Sequence, residues 1–236
     1  MVDTLGVSDP LADLTRLEGV PSATAAAMAA VDAVLRDRGL RVISADTQAS
    51  ARAAIATATA ELTENPGRWL VGALRLSAEL ADLAPLIRVA PAQALARAHA
   101  LLARGVLADD DLGRIVDRPG VAERLHGVTG LLTAPTTGAA IVLGAVVHAE
   151  VATVAPFVDG NGVVARAAEH LVLMATGVDP RAVIVVESGH QAAGAAYASG
   201  LRGYADGGVS GVRNWLLHCA QAVTRGAELS PARPRG

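Results

Sequence analysis

The stretch Ala155-Pro156-Phe157-Val158-Asp159-Gly160-Asn161-Gly162-Val163-Val164-Ala165-Arg166 decides the reading of this chain. An apolar segment of helical length, Gly138 to Val154, precedes it, and another, Val163 to Thr176, follows. Asp159-Gly160-Asn161-Gly162 is then the hinge between two helices. Glycines at 160 and 162 admit positive φ, so the backbone can turn tightly and expose its amides. Those amides stand at the N-terminus of the second helix, where free N–H groups and the helix dipole favour an anion. A phosphate is the natural guest. Arg166, four residues after Gly162, projects from the first turn back toward the same amides. The bland alternatives are a plain interhelical turn and an Arg166 paired with Glu169 or a nearby helix.

Outward from this hinge the chain reads as helical. Helices are expected at Ser22 to Arg38, with Ser22 as N-cap and Gly39 as terminator, and at Thr47 to Leu62. Others are expected at Pro66 to Leu83, Pro91 to Arg104 and Pro119 to Leu132, with a short acidic turn at Asp109 to Arg114. After the motif helix, Gly177-Val178-Asp179-Pro180 breaks the chain, and Ala182 to Val186 is β-branched enough for one short strand. Two last helices are expected at Gly189 to Tyr204 and Val209 to Arg225. The fold class is therefore all-α, with at most a short β element near 182–186. One helical domain is expected over 22–229, behind a loosely ordered lead-in at 1–21 and before a disordered tail at 230–236.

Composition bounds the rest. The 236 residues are 52% hydrophobic and only 2% aromatic, so the core must be aliphatic and its small side chains imply close helix packing. Every basic residue is Arg, a usage that fits a GC-rich bacterial genome. A net charge of −3 gives no general affinity for nucleic acid. A single cysteine, Cys219, excludes an internal disulfide and a cysteine-rich metal site, and reads as a small buried hydrophobe. The longest apolar run stops at His148 and Glu150, too short to span a bilayer, and no leader segment is visible, so a cytoplasmic protein is expected. Trp69 and Trp215 read as packing residues. Alanine-rich helix faces leave a homo-oligomer contact open.

The stretch at 155–166 resembles the signature of the Fic/Doc (Fido) family, His-Pro-Phe-x-Asp-Gly-Asn-Gly-Arg-x-x-Arg. Pro156, Phe157, Asp159, Gly160, Asn161, Gly162 and Arg166 stand in register. Ala155 holds the His position and Val163 the position of the first Arg. The resemblance implies the all-α Fido fold. It implies descent from enzymes that move AMP, or another phosphate-linked group, from a nucleotide to a protein hydroxyl. By that resemblance Asp159 would hold Mg²⁺, Gly160, Asn161 and Gly162 would seat phosphate, Arg166 would bind the polyphosphate of ATP or another nucleotide, and a target protein would be the partner. Phe157 would anchor the loop.

The two departures fall on the chemistry. A positioned general base contributes on the order of 10²–10⁴ in rate, and alanine supplies none. An Arg on phosphate is a charge-assisted contact of roughly 1.5–3 kcal/mol, which Val163 cannot make. A degenerate Fic-type protein is therefore expected, one that keeps a nucleotide pocket and acts by binding or regulation. The alternative within the family is an active transferase with altered residues. The family's inhibitory pattern, Ser/Thr-x-x-x-Glu-Gly/Asn, is missing from Ser50 to Glu61.

Three histidines are candidates to replace the base. His148 lies two turns before Ala155, about 10 Å away at 1.5 Å per residue, and reads as a hydrogen-bonded core histidine. His170 sits one turn past Arg166, and His190 opens a later helix. A reading from another class is an NAD(P)-binding oxidoreductase. Gly160-Asn161-Gly162-Val163-Val164-Ala165 fits Gly-x-Gly-x-x-Ala, with Glu187 as the ribose acid. Pro156 fits a central strand poorly, and alternating strands are missing. His148-Ala149-Glu150 lacks the Pro-Cys-x-x-Cys of a zinc deaminase, and His218-Cys219 are mere sequence neighbours.

Overall fold

A computed structural model describes residues 9–37 and 43–232. In chain order its α-helices are α1 (Pro10–Thr15), α2 (Val20–Asp37), α3 (Ala45–Glu61), α4 (Pro66–Ala78), α5 (Leu80–Val89) and α6 (Pro91–Ala103). A single 3₁₀ turn, Asp109–Asp111, follows. Then come α7 (Val121–Thr133), α8 (Ala140–Val154), α9 (Asn161–Ala175), α10 (Val186–Ala192), α11 (Ala195–Ala205) and α12 (Val209–Glu228). No strand forms among the described residues; the one β-bridge joins Arg104 and Leu107. The expected all-α fold is observed.

The hairpin of α8 and α9 is the centre of the molecule. Ile141 to Ala149 of α8 and Val163 to Met174 of α9 are continuously buried. A helix that is apolar all round must be covered all round. α5, α6 and α3 cover α9, while α7, α11 and α12 cover α8. α2 lies on α12, α4 on α3 and α6, and α10 on α12 and α3. The scarcity of aromatics is met by close approach. A Cβ on Gly72 would lie 2.0 Å from the Leu102 carbonyl, and one on Gly189 would lie 2.1 Å from that of Ala222. Both sites admit glycine alone.

Several expected boundaries moved for local reasons. α2 begins at Val20, so Ser22 is inside its first turn and its hydroxyl donates to the Gly19 carbonyl instead of capping. Gly39, the expected terminator, lies outside the described residues. Ser44 caps α3, accepting from the Thr47 N–H. The expected helix from Pro66 to Leu83 divides at Glu79, whose carboxylate meets Arg97 at 3.1 Å. The expected helix from Gly189 to Tyr204 divides at Ala193 and Gly194.

The expected strand at 182–186 is a buried turn instead. The Asp179 carboxylate accepts the N–H groups of Val183 (3.2 Å) and Ile184 (2.8 Å), supplying the acceptors a neighbouring strand would have offered. Val183 to Val186 pack into the core without a ladder, and Val186 begins α10.

At the front, Asp9 caps α1 and also holds the loop before α8, accepting from Thr136 and Thr137. Leu11 is buried, while Leu5 of the expected lead-in lies outside the described residues. At the far end the Ser230 hydroxyl donates to the Val183 carbonyl and Ala232 is fully buried; residues 233–236 lie outside the described residues. No helix among the described residues is long and apolar enough to cross a membrane.

Candidate functional site

The α8–α9 connection is held from four sides. Ala155 ends α8 in the left-handed region, at φ 47°. The Arg118 guanidinium donates to the carbonyls of Val154 and Ala155, and the Val116 N–H donates to that of Pro156. Phe157 is buried and its ring stacks on His99, with centroids 4.2 Å apart and planes 3° from parallel. His99 Nδ1 accepts the Gly113 N–H, so its proton is on Nε2, which donates to the Asp159 carbonyl at 3.2 Å. Burial pushes His99 below its ordinary pKa, which favours this neutral tautomer.

The motif residues then divide by what their side chains do. Asn161 turns inward: its Oδ1 accepts the Phe157 N–H and its Nδ2 donates to the Phe157 carbonyl, both at 2.8 Å. The side chain expected to seat phosphate is thus spent on shaping the loop. Gly160 is in the left-handed region at φ 75°, and a Cβ there would stand 3.0 Å from Leu102 and 3.2 Å from Trp69. Asp159 accepts its neighbour's amide, Gly160 N–H, through Oδ1 and pairs with Arg68 through Oδ2 at 3.1 Å. The amides of Val163 and Val164 both donate to the Gly160 carbonyl. Those of Asn161 and Gly162, the first two of α9, have no acceptor among the described residues.

These two amides belong to residues that line a cleft of about 470 Å³. One wall is the motif from Val158 to Gly162. The other is the α3–α4 connection, with Thr63, Glu64 and Asn65, and Arg68 of the first turn of α4. Trp69 closes the base beneath Arg68, whose guanidinium lies 5.0 Å over its ring. Arg68 is about as exposed as Asp159, at 42% and 43% of the side chain, so it is free to exchange partners. Nothing in the motif announced Arg68; its only sequence signal is its place in the first turn of a helix that starts Asn65-Pro66.

Arg166 does project back toward the amides, since a Cβ on Gly162 would lie 3.5 Å from its Nη1. Yet it is only 3% exposed and already engaged. Nε donates to the Thr59 hydroxyl (2.7 Å), Nη2 to the Thr59 carbonyl (2.8 Å) and Nη1 to the Tyr197 hydroxyl (3.0 Å). Among the described residues it pairs with no carboxylate; its partners come from α3 and α11. Thr59 lies in α3, the alanine-rich helix that lacks the inhibitory pattern, and it holds the arginine by neutral groups. Val163 is 1% exposed and lies among Ile55, Leu76, Leu80 and Ala167, with Thr59, Ser77 and Glu187 lining the same space.

Behind Arg166 a polar chain runs through the core. Because Tyr197 accepts from Arg166, its own proton goes to His148 Nε2, at 2.9 Å. His148 therefore carries its proton on Nδ1 and donates it to Glu169 Oε2, at 2.6 Å. His190 Nε2 donates to the same oxygen at 2.9 Å, and its Nδ1 accepts from His218 Nε2 at 3.0 Å. Burial drives His148 and His218 each down to about 4, consistent with neutral rings. Burial alone would raise the Glu169 carboxyl, but His190 and His148 more than offset it and hold it low.

His148 is thus the hydrogen-bonded core histidine expected. His170 meets Glu187 at 3.3 Å, and both are buried. His190 reaches Glu169 and not the loop. No histidine lines the cleft. The dinucleotide-binding alternative fails on the same facts: no strand precedes Gly160, and Glu187 is buried in α10 against His170. Trp215 is fully buried and donates to the Ala145 carbonyl, and Cys219 is fully buried.

No family model matches the chain, and no curated protein is similar to it by sequence. Solved structures are similar in fold. A Fic family protein from Desulfovibrio desulfuricans G20 superposes with a TM-score of 0.67 at 16% identity, over 88% of this chain and 73% of that one. Two structures of Fic-1 from C. elegans give TM-scores of 0.59 and 0.60 at 17% identity, over 89% of this chain and 71% and 72% of theirs. The chain has the fold of Fic proteins.

Proposed function

We propose that this Fic-fold chain binds a phosphate-bearing ligand, a nucleotide, in the cleft between the α3–α4 connection and the start of α9. It acts by binding or regulation, on a protein partner, and does not transfer AMP. One observation carries the reading. Two amides without an acceptor among the described residues, at the N-terminus of a 15-residue helix, belong to residues lining a cleft that also holds the half-exposed guanidinium of Arg68. Arg68 takes on the role that an arginine at 163 would have filled.

The case against transfer is local. Ala155 offers no base, and no histidine lines the cleft to replace one. Asp159 suits a hydrated Mg²⁺ carried by the ligand's phosphates, because one carboxylate in an exposed cleft is the usual protein share of such a site. Its fit requires Arg68 to leave Oδ2 for the phosphate.

Calorimetry with ATP and Mg²⁺, ADP, AMP and NAD(H) tests the reading. Micromolar binding of an adenine nucleotide, weakened by Arg68→Ala, is expected. Failure of every nucleotide to bind would reject the pocket. Transfer of labelled nucleotide to protein by the unaltered chain would reject the non-catalytic half.

A further inference from the structure

We propose that His148, Glu169 and His190 form a buried site for one divalent transition-metal ion of the zinc class. The three residues come from α8, α9 and α10, and their ligand atoms all lie within 4.8 Å of one another. Each is at most 1% exposed. Zinc holds imidazole nitrogens and carboxylate oxygens at about 2.0–2.2 Å, so the two rings, now 2.6 and 2.9 Å from Oε2, must draw back from that oxygen to admit the ion between them.

The Glu169 carboxylate supplies the independent observation. Both histidines crowd onto Oε2, while Oε1 is buried with no hydrogen-bond partner among the described residues. A buried carboxylate oxygen without a donor is costly. An ion bound by both oxygens and both ring nitrogens satisfies it and has four donor atoms, the number a closed zinc site takes. The donor set of nitrogen and oxygen, without thiolate, suits zinc and its neighbours. Calcium and magnesium prefer an all-oxygen shell of six or more, so this ion is distinct from any Mg²⁺ that arrives with a nucleotide.

The surroundings fit a metal-bound state as well as a proton-bound one. A ligating imidazole needs an acceptor for its other N–H. The Tyr197 hydroxyl stands 2.9 Å from His148 Nε2, and His218 Nε2 stands 3.0 Å from His190 Nδ1. On metal binding each ligating ring moves its proton to the far nitrogen: His148 then donates to Tyr197, whose own O–H must turn away from that ring, and His190 donates to His218, whose proton passes to Nδ1. No proton leaves the site and nothing is oxidised. Two further buried acids, Glu187 and Asp179, flank the neighbouring His170. Trp215 packs on both ligating rings, with centroids 5.1 and 6.2 Å away, so the ion has a structural role. It ties α10 to the central hairpin and fixes α9, whose first turn lines the cleft.

The test uses the full chain and Zn²⁺ or Co²⁺ alone. The protein is unfolded with a chelator and refolded with and without Zn²⁺. One zinc per chain, a higher melting temperature in the zinc-refolded sample and visible four-coordinate bands with Co²⁺ are expected. Glu169→Gln should abolish retention, and His218→Gln should lower affinity by about 10–100-fold. Asp159→Asn, in the cleft, and His126→Ala, on the surface, should both retain the metal. Refolded wild-type protein without zinc, or a Glu169→Gln protein that keeps it, overturns the site, and loss of zinc in Asp159→Asn relocates the metal to the cleft. If Glu169→Gln does not fold, His218→Gln decides: unchanged affinity rejects the site.

Discussion

Asn161 grips Phe157 by both backbone groups, its amide oxygen on the N–H and its amide nitrogen on the carbonyl, each at 2.8 Å. Five consecutive residues are thereby closed into a rigid loop whose inner face is the Phe157–His99 stack. Asn161→Ala removes both bonds and leaves a part-buried donor and acceptor unpaired, a loss of about 1–3 kcal/mol. At about 2–4 °C per kcal/mol for a chain of this size, the melting temperature should fall by several degrees. Calorimetry on the ligand-free protein checks this. A variant as stable as the parent would show that the loop is held by its other contacts.

Arg68→Ala should act in the opposite way. The Arg68–Asp159 pair is half exposed, so its loss should move stability by no more than about 0.5 kcal/mol. A phosphate would lose a charge-assisted contact of about 1.5–3 kcal/mol, or roughly 10–150-fold in affinity. The same nucleotide titration on both proteins checks it. Equal affinity would place the anion away from the start of α9.

How far the sequence foretold this site depends on distance along the chain. The hinge, the paired helices and the anchoring Phe157 are consequences of local residues, and glycine at 160 reports its positive φ directly. Arg68 and His99 touch the loop from 91 and 60 residues away, in helices with no pattern of their own. Asn161 was legible as a motif residue but not as a loop clamp, because its use depends on where the Phe157 backbone turns. The apolar run at 182–186 is a strand by composition, and only the carboxylate of Asp179 below it makes a turn possible.

Val163 bears on any attempt to rebuild the enzyme. The position is 1% exposed, among aliphatic side chains with Thr59, Ser77 and the His170-paired Glu187, so an arginine there must bury its charge or displace α3 and α4. Val163→Arg should cost more than about 3 kcal/mol, seen as a large drop in melting temperature or loss of soluble protein. Ala155→His is the gentler change, because the residue already holds φ 47°, a region that histidine enters more readily than most residues. The single variant should fold as the parent does. If it then transfers labelled AMP, the cleft has kept its geometry and lacks only the base.

Asp9 supplies a pH dependence remote from the cleft. The N–H of Thr137 is the largest influence on its carboxyl; with Ala12, Thr136 and the Thr137 hydroxyl it brings the pKa from 3.8 down to about 2. A group depressed on folding contributes stability above its unfolded pKa and loses it as pH falls through the folded one. The clasp between α1 and the loop before α8 should therefore be intact at neutral pH and weaken between about pH 4 and pH 2. Asp9→Asn keeps the shape and removes the charge, so it should melt below the parent at pH 7. That difference should narrow as the pH falls to 2, where about half of the parent's folded carboxyls are neutral, and close below it. A gap that persists unchanged to pH 2 would assign the effect of Asp9 to its shape and not to its charge.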